Sequence, residues 1–167
     1  MNLLLGSLLL AGVCSLGDAT NIPVMANFDN QRIAKAWYPL LSIPTGQLRS
    51  VQFHPFQLVA QPNGNLKYRI RVTKNGRCGT EDVMLNKQSQ PGDYVTSVPS
   101  TLRFVETDYN TYFIAYITRG SGNLDTFLAL AGTQPNVTPA LETKFRTVAN
   151  SLGVTGGILH SVLLATC

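Results

Sequence analysis

From Leu66 to Thr73 the chain alternates apolar and polar residues over eight positions, Leu-Lys-Tyr-Arg-Ile-Arg-Val-Thr. A period of two is the signature of a half-buried β-strand, so Leu66, Tyr68, Ile70 and Val72 face a core while the cations face water. Upstream, Val51 to Ala60 reads as a second strand, joined to the first through the turn sequence Pro62-Asn63-Gly64-Asn65. Further strands are predicted over Trp37 to Ile43, Glu81 to Leu85, Ser100 to Glu106, Tyr112 to Thr118 and Asp125 to Ala131. Between them lie Asn75-Gly76, Gln90-Pro91-Gly92-Asp93 and Gly120-Ser121-Gly122-Asn123. A chain of hairpins with this spacing forms a sandwich or a barrel, and the pattern alone does not choose. One segment keeps a different period. Pro139 to Leu152 sets Leu141, Phe145, Val148 and Leu152 at helical intervals, with Glu142 early, Lys144 and Arg146 later and Gly153 after the end. A short strand over Ile158 to Leu164 follows. A late helix outside a meandering sheet favours a barrel.

The first 19 residues differ in kind. Leu3 to Val13 is almost continuously apolar and ends near the small residues Gly17 and Ala19, the pattern of a cleaved signal peptide. A membrane anchor is the other reading, but the run falls short of the roughly 20 residues a spanning helix needs. The expected organisation is a signal peptide over 1–19 and one domain over 20–167, in a secreted, extracellular protein without stable membrane insertion. Cleavage removes Cys14 and leaves Cys78 and Cys167. An even number in an oxidising compartment reads as one disulfide, against two buried free thiols.

Charge excludes little but is informative. The chain has 13 Lys plus Arg against 9 Asp plus Glu, a net +4 that becomes +5 when Asp18 leaves. Lys67, Arg69, Arg71, Lys74 and Arg77 lie on one stretch, without the interleaved aromatics of a nucleic-acid platform, and a solvated strand face explains them better. No nucleic-acid partner is expected. His54 and His160, the two histidines, have no neighbouring Cys, Asp or Glu at metal-ligand spacing, and no Gly-X-Ser-X-Gly elbow appears. No metal, cofactor or catalytic residue is assigned.

Three groups of residues carry a resemblance. Asn27-Phe28-Asp29 leads into Ala34-Lys35-Ala36-Trp37-Tyr38, Thr107-Asp108-Tyr109 precedes a strand, and Leu130-Ala131-Gly132-Thr133 ends one. In this order, over nearly all of the mature chain, they resemble the lipocalins. The resemblance implies an all-β fold, an eight-stranded antiparallel up-and-down barrel (calyx) with one C-terminal helix packed outside. It also implies that Trp37, Thr107, Asp108 and Tyr109 are motif positions and that a Cys78–Cys167 bridge joins the barrel to the carboxyl terminus. Lys35 stands where the family has glycine, and Gly132 where it has an arginine across the tryptophan ring. Two readings follow: Lys35 supplies the cation with Gly132 leaving it space, or Lys35 points to solvent.

Within the family the stretch from Val105 to Tyr116 is most similar to the prostaglandin D synthase branch. That chemistry requires a thiol on an early barrel strand, and Val51 to Ala60 contains none. A carrier is therefore expected before an isomerase. The predicted inward set is Phe53, Leu58, Tyr68, Ile70, Val83, Leu85, Leu102, Phe104, Phe113, Ala115, Ile117, Leu128 and Leu130, with Arg119 at the mouth beside Glu81. A barrel so lined is expected to hold a small hydrophobic ligand of the retinoid, fatty acid, steroid or prostanoid class. Side chains filling the barrel would leave no room for one. A siderophore site would need several converging cations, and Arg119 stands nearly alone. A protein-interaction module acting through mouth loops such as Ser42 to Arg49, with a cell-surface receptor as partner, is the third reading. Asn136-Val137-Thr138 is a glycosylation acceptor sequence, with Pro139 directly after it.

Overall fold

The computed structural model describes residues 22–44, 52–97, 100–119 and 125–167, with Arg119 and Asp125 described in backbone only. The expected signal peptide and the 45–49 part of the mouth loop lie outside these residues. The strands, in chain order, are β1 (Ala36–Pro44), β2 (Gln52–Phe53), β3 (Phe56–Ala60), β4 (Leu66–Lys74), β5 (Arg77–Lys87), β6 (Asp93–Val95), β7 (Ser100–Thr107), β8 (Tyr112–Arg119) and β9 (Asp125–Gly132). The helix α1 (Pro139–Ser151) and the short strands β10 (Leu159–His160) and β11 (Val162–Leu163) follow.

Strands β1, β3, β4, β5, β6, β7, β8 and β9 are antiparallel neighbours in that order, and β9 pairs back onto β1, from Tyr38 opposite Gly132 to Pro44 opposite Phe127. The sheet is therefore a closed eight-stranded barrel. The alternating segment forms β4, and its hairpin to β5 turns on Asn75 and Gly76, both at positive φ (49° and 72°). That conformation matches a two-residue turn to the twist of its strands, which is why Asn-Gly recurs there.

The structure departs from the predicted strands in three places. Val51 to Ala60 is not one strand: it breaks at His54 and Pro55 into β2 and β3, because a proline has no N–H to donate to a ladder. The carboxyl-terminal strand divides similarly, β10 pairing antiparallel with β1 and β11 pairing parallel with β2. Finally, β6 follows the expected turn over residues 90–93, in a stretch to which no strand was assigned. It is held to β7 by Arg103, whose guanidinium donates two bonds of 2.6 Å to Asp93 and a third of 2.6 Å to the Ile22 carbonyl. The Asp93 carboxylate beside it raises the already high Arg103 pKa.

The core has two parts. One lies inside the barrel around Trp37, Leu58, Leu66, Phe104 and Phe113. The other lies between the barrel and α1, where Phe145, Val148 and Ala149 meet Leu40, Ile114, Leu128 and Leu130. The helix starts where Thr138 accepts from the Leu141 N–H at 3.2 Å, with Pro139 at its first position, and stops before Gly153 at φ 67°. Its outer tie is Glu106, which receives the Tyr112 hydroxyl at 2.5 Å and the Lys144 ammonium at 3.1 Å. Burial, and then this bond, raise the Tyr112 pKa.

Candidate functional site

The turns after β3, β5 and β7 gather at one end of the barrel with residues 22–35, and this end is closed. Trp37 is fully buried, donates its indole N–H to the Ile33 carbonyl at 2.9 Å and meets Phe113 edge-on at 4.8 Å. Beneath it Phe28 stacks on Phe104 at 4.5 Å, with Tyr94 edge-on to both. Burial, with the nearby Tyr109, pushes the Tyr94 phenol up to about 12.

The Thr107-Asp108-Tyr109 turn locks this end. Thr107 Oγ1 accepts from the Tyr109 N–H at 2.8 Å and donates to the Tyr112 carbonyl at 2.6 Å. The Asp108 carboxylate accepts from the N–H groups of Asn110, Thr111 and Tyr112 at 2.9, 2.8 and 3.1 Å and from the Thr111 hydroxyl. Its partial burial would raise its pKa, but these bonds outweigh that and hold it below the ordinary aspartate value. Tyr109, at φ 63°, accepts the Asp29 N–H on its hydroxyl at 2.9 Å, and Arg32 lies 4.3 Å from its ring centre. Lys35 donates to the Tyr109 carbonyl, and its ammonium lies 5.9 Å from the centre of the Trp37 ring. Lys35 is thus turned inward, not to solvent. The space beside Gly132 does not belong to it: a Cβ there would come within 2.7 Å of Leu40 Cδ1.

Above this floor the barrel is hollow. A cavity of ≈ 330 Å³ opens between Phe104 and Phe113 below and Thr96, Ser100 and Thr101 at the rim. Of the predicted inward set, Phe53, Leu58, Tyr68, Val83, Leu85, Leu102, Phe104, Phe113 and Ile117 line it, while Leu130 borders it but belongs, like Leu128, to the helix-side cluster. Three positions lie outside the lining, and of these only Leu128 faces the other way. Leu128 packs on the helix side, because β9 is buried on both faces and its apolar run from Phe127 to Ala131 hides the phase. Ala115 is fully buried inside the barrel and is not part of the cavity lining. Ile70 shares a face with Tyr68 but sits further towards the hairpin tip, outside the lining. The Arg119 side chain lies outside the described residues, and Glu81 is paired with Lys74.

The structure adds lining that the pattern did not reveal: Pro39 and Leu41 from β1, Phe56 from β3, Phe127, Ala129 and Ala131 from β9, and Ser161 between β10 and β11. The signal on β9 was present in side-chain size. Small Ala129 and Ala131 alternate with Leu128 and Leu130, and the small residues face the space left vacant.

Outside the cavity, Cys78 and Cys167 form a disulfide with Cα atoms 5.5 Å apart, fastening the carboxyl terminus to β5. Asn136 is exposed in the turn before α1. Among the described residues no cluster of His, Cys, Asp and Glu could hold a metal, and no helix is long and apolar enough to cross a membrane.

A sequence model of the Lipocalin / cytosolic fatty-acid binding protein family matches residues 36–160, from the first barrel strand to β10. Among similar proteins, Major allergen Can f 1 of Canis lupus familiaris is 28% identical over 116 residues, covering 68% of this chain and 66% of its own length. Von Ebner gland protein 2 of Rattus norvegicus is 30% identical over 104 residues, 54% of this chain and 57% of its own. Salivary lipocalin of Sus scrofa is 27% identical over 145 residues, 78% of this chain and 72% of its own. The chain thus spans between 57% and 72% of the length of these relatives. With the closed barrel, the outer helix and the extent of the match, the chain belongs to the lipocalin / cytosolic fatty-acid binding protein family.

Proposed function

We propose that this protein is a secreted carrier of a small hydrophobic molecule held inside the barrel. The observation that carries the reading is the vacant ≈ 330 Å³ cavity, walled mainly by Leu, Ile, Val and Phe side chains. Its volume falls within the usual range for ligand pockets, about 300–1,000 Å³. A guest burying roughly 250 Å² of apolar surface gains about 6 kcal/mol gross at about 25 cal/mol per Å². That gain alone corresponds to about 40 μM before any cost of binding, so a micromolar affinity also needs the dispersion contacts of a close-fitting, preformed wall that keeps the ordering cost low. Retinoids, fatty acids, steroids and prostanoids are the classes to test.

Secretion rests on the 1–19 segment and on the disulfide, which persists in oxidising surroundings. Two of the relatives are named for a gland and for saliva, in keeping with this. The mature protein is expected to begin at Thr20, which amino-terminal sequencing of secreted material checks. An isomerase of the prostaglandin D synthase type would need a thiolate in the cavity. The described lining holds no cysteine, and Cys78 and Cys167 are joined to each other.

Native mass spectrometry of protein purified from its source, followed by extraction and identification of the released molecule, tests the carrier reading. A lipophile released in stoichiometric amount supports it. Protein that is empty and also ignores all four ligand classes would rule it out.

A further inference from the structure

Resting on the carrier reading, the wall of the cavity says more about the guest. Two side-chain oxygens on one side of the barrel, Ser42 Oγ and Ser161 Oγ, are shut off from solvent and have no hydrogen-bond partner among the described residues. Ser161 lines the cavity, and Ser42 is 1% exposed and stands in register with Ala129, which also lines it. A hydroxyl withdrawn from water and left unpaired costs folding free energy. The position of Ser161 is nevertheless fixed. Its N–H donates to the Leu40 carbonyl at 2.9 Å, the Leu164 N–H donates to the Phe53 carbonyl at 2.8 Å, and the segment ends in the Cys78–Cys167 disulfide. The Ser161 oxygen lies just behind the cavity surface in this conformation, so a guest meets it once the side chain turns about χ1; so turned, it is a donor in an apolar wall, the arrangement that fixes a ligand's polar group.

The charge of the wall matters equally. Among the described lining residues none is ionisable at neutral pH with a positive charge, and none is acidic. A carboxylate brought into such a wall would give up its hydration with no counter-ion among the described lining residues to replace it, whereas a carbonyl or hydroxyl needs a single hydrogen bond.

We propose that Ser161 is the hydrogen-bonding anchor of the cavity and that it selects neutral lipophiles carrying a carbonyl or hydroxyl oxygen over carboxylates of the same shape.

Three guests of matched shape separate the terms: naphthyl methyl ketone, naphthoate and isopropylnaphthalene, each displacing N-phenylnaphthylamine from the oxidised full chain at neutral pH. The ketone should bind at least about tenfold tighter than naphthoate and about three- to tenfold tighter than the hydrocarbon. In Ser161→Ala the ketone should fall to the level of the hydrocarbon, whose own affinity stays within about twofold. The variant should also melt at the same or a higher temperature, because an unpaired buried hydroxyl has been removed. Naphthoate binding as tightly as the ketone would overturn the proposal, as would equal loss of ketone and hydrocarbon in the variant or a lower melting temperature. Hydrocarbon that binds while the ketone gains nothing defeats this inference alone. Failure of all three guests defeats the carrier reading with it.

Discussion

Asp108 is exposed yet accepts four hydrogen bonds, three from consecutive backbone N–H groups. It is a turn-former, and its carboxylate state is part of the turn. Replacing it with Ala should cost about 1–2 kcal/mol, measurable by urea unfolding. Because folding lowers its pKa, its contribution is complete above the ordinary aspartate value and is lost as pH falls through the lower folded value. In Asp108→Asn that part of the acid-side loss should be missing from the stability profile. Lys35→Ala should cost about 1 kcal/mol, since it removes both the bond to the Tyr109 carbonyl and the cation beside Trp37. A change within about 0.5 kcal/mol would mean that the contact contributes nothing of note. The Thr107-Asp108-Tyr109 turn was legible in the sequence because turn chemistry is local, Thr107 and Asp108 bonding to backbone within five positions. The partner of Gly132 was not legible, because Leu40 reaches it only after β1 and β9 have paired.

Among the elements, the facing of β4 and α1 was readable and that of β9 was not, although all three were predicted, for one physical reason. A strand or helix with one wet face carries its orientation in its polar residues. A strand covered by cavity wall on one side and helix on the other does not. Thus Leu66 to Thr73 announced its face, Thr138-Pro139 and Gly153 marked the ends of α1, and Leu128 was assigned to the wrong side. Strand β6 escaped because three residues show no period, and its position depends on the distant Arg103. Since α1 seals the outer face of β9 through Phe145, which is fully buried, Phe145→Ala should cost about 3–5 kcal/mol in equilibrium unfolding. Probe binding in the cavity should survive wherever the variant is folded, because Phe145 belongs to the outer cluster.

At the scale of the whole molecule, barrel closure removes sheet edges and the two cores divide the work: the aromatic floor shuts one end and the helix supports one wall. The disulfide ties the carboxyl terminus, and with it Ser161, to this frame across 89 positions of sequence. Its reduction should lower stability by up to about 4 kcal/mol by the chain-entropy model, seen as a fall in Tm under reductant. A guest can enter only if the barrel is hollow. Titration of N-phenylnaphthylamine against the wild-type protein and Ala129→Trp, which places an indole where the wall is now small, tests that directly. The wild type should show saturable one-to-one binding in the micromolar range, and the folded variant should lose it. Undiminished binding by Ala129→Trp, or no binding by the wild type, would contradict the account.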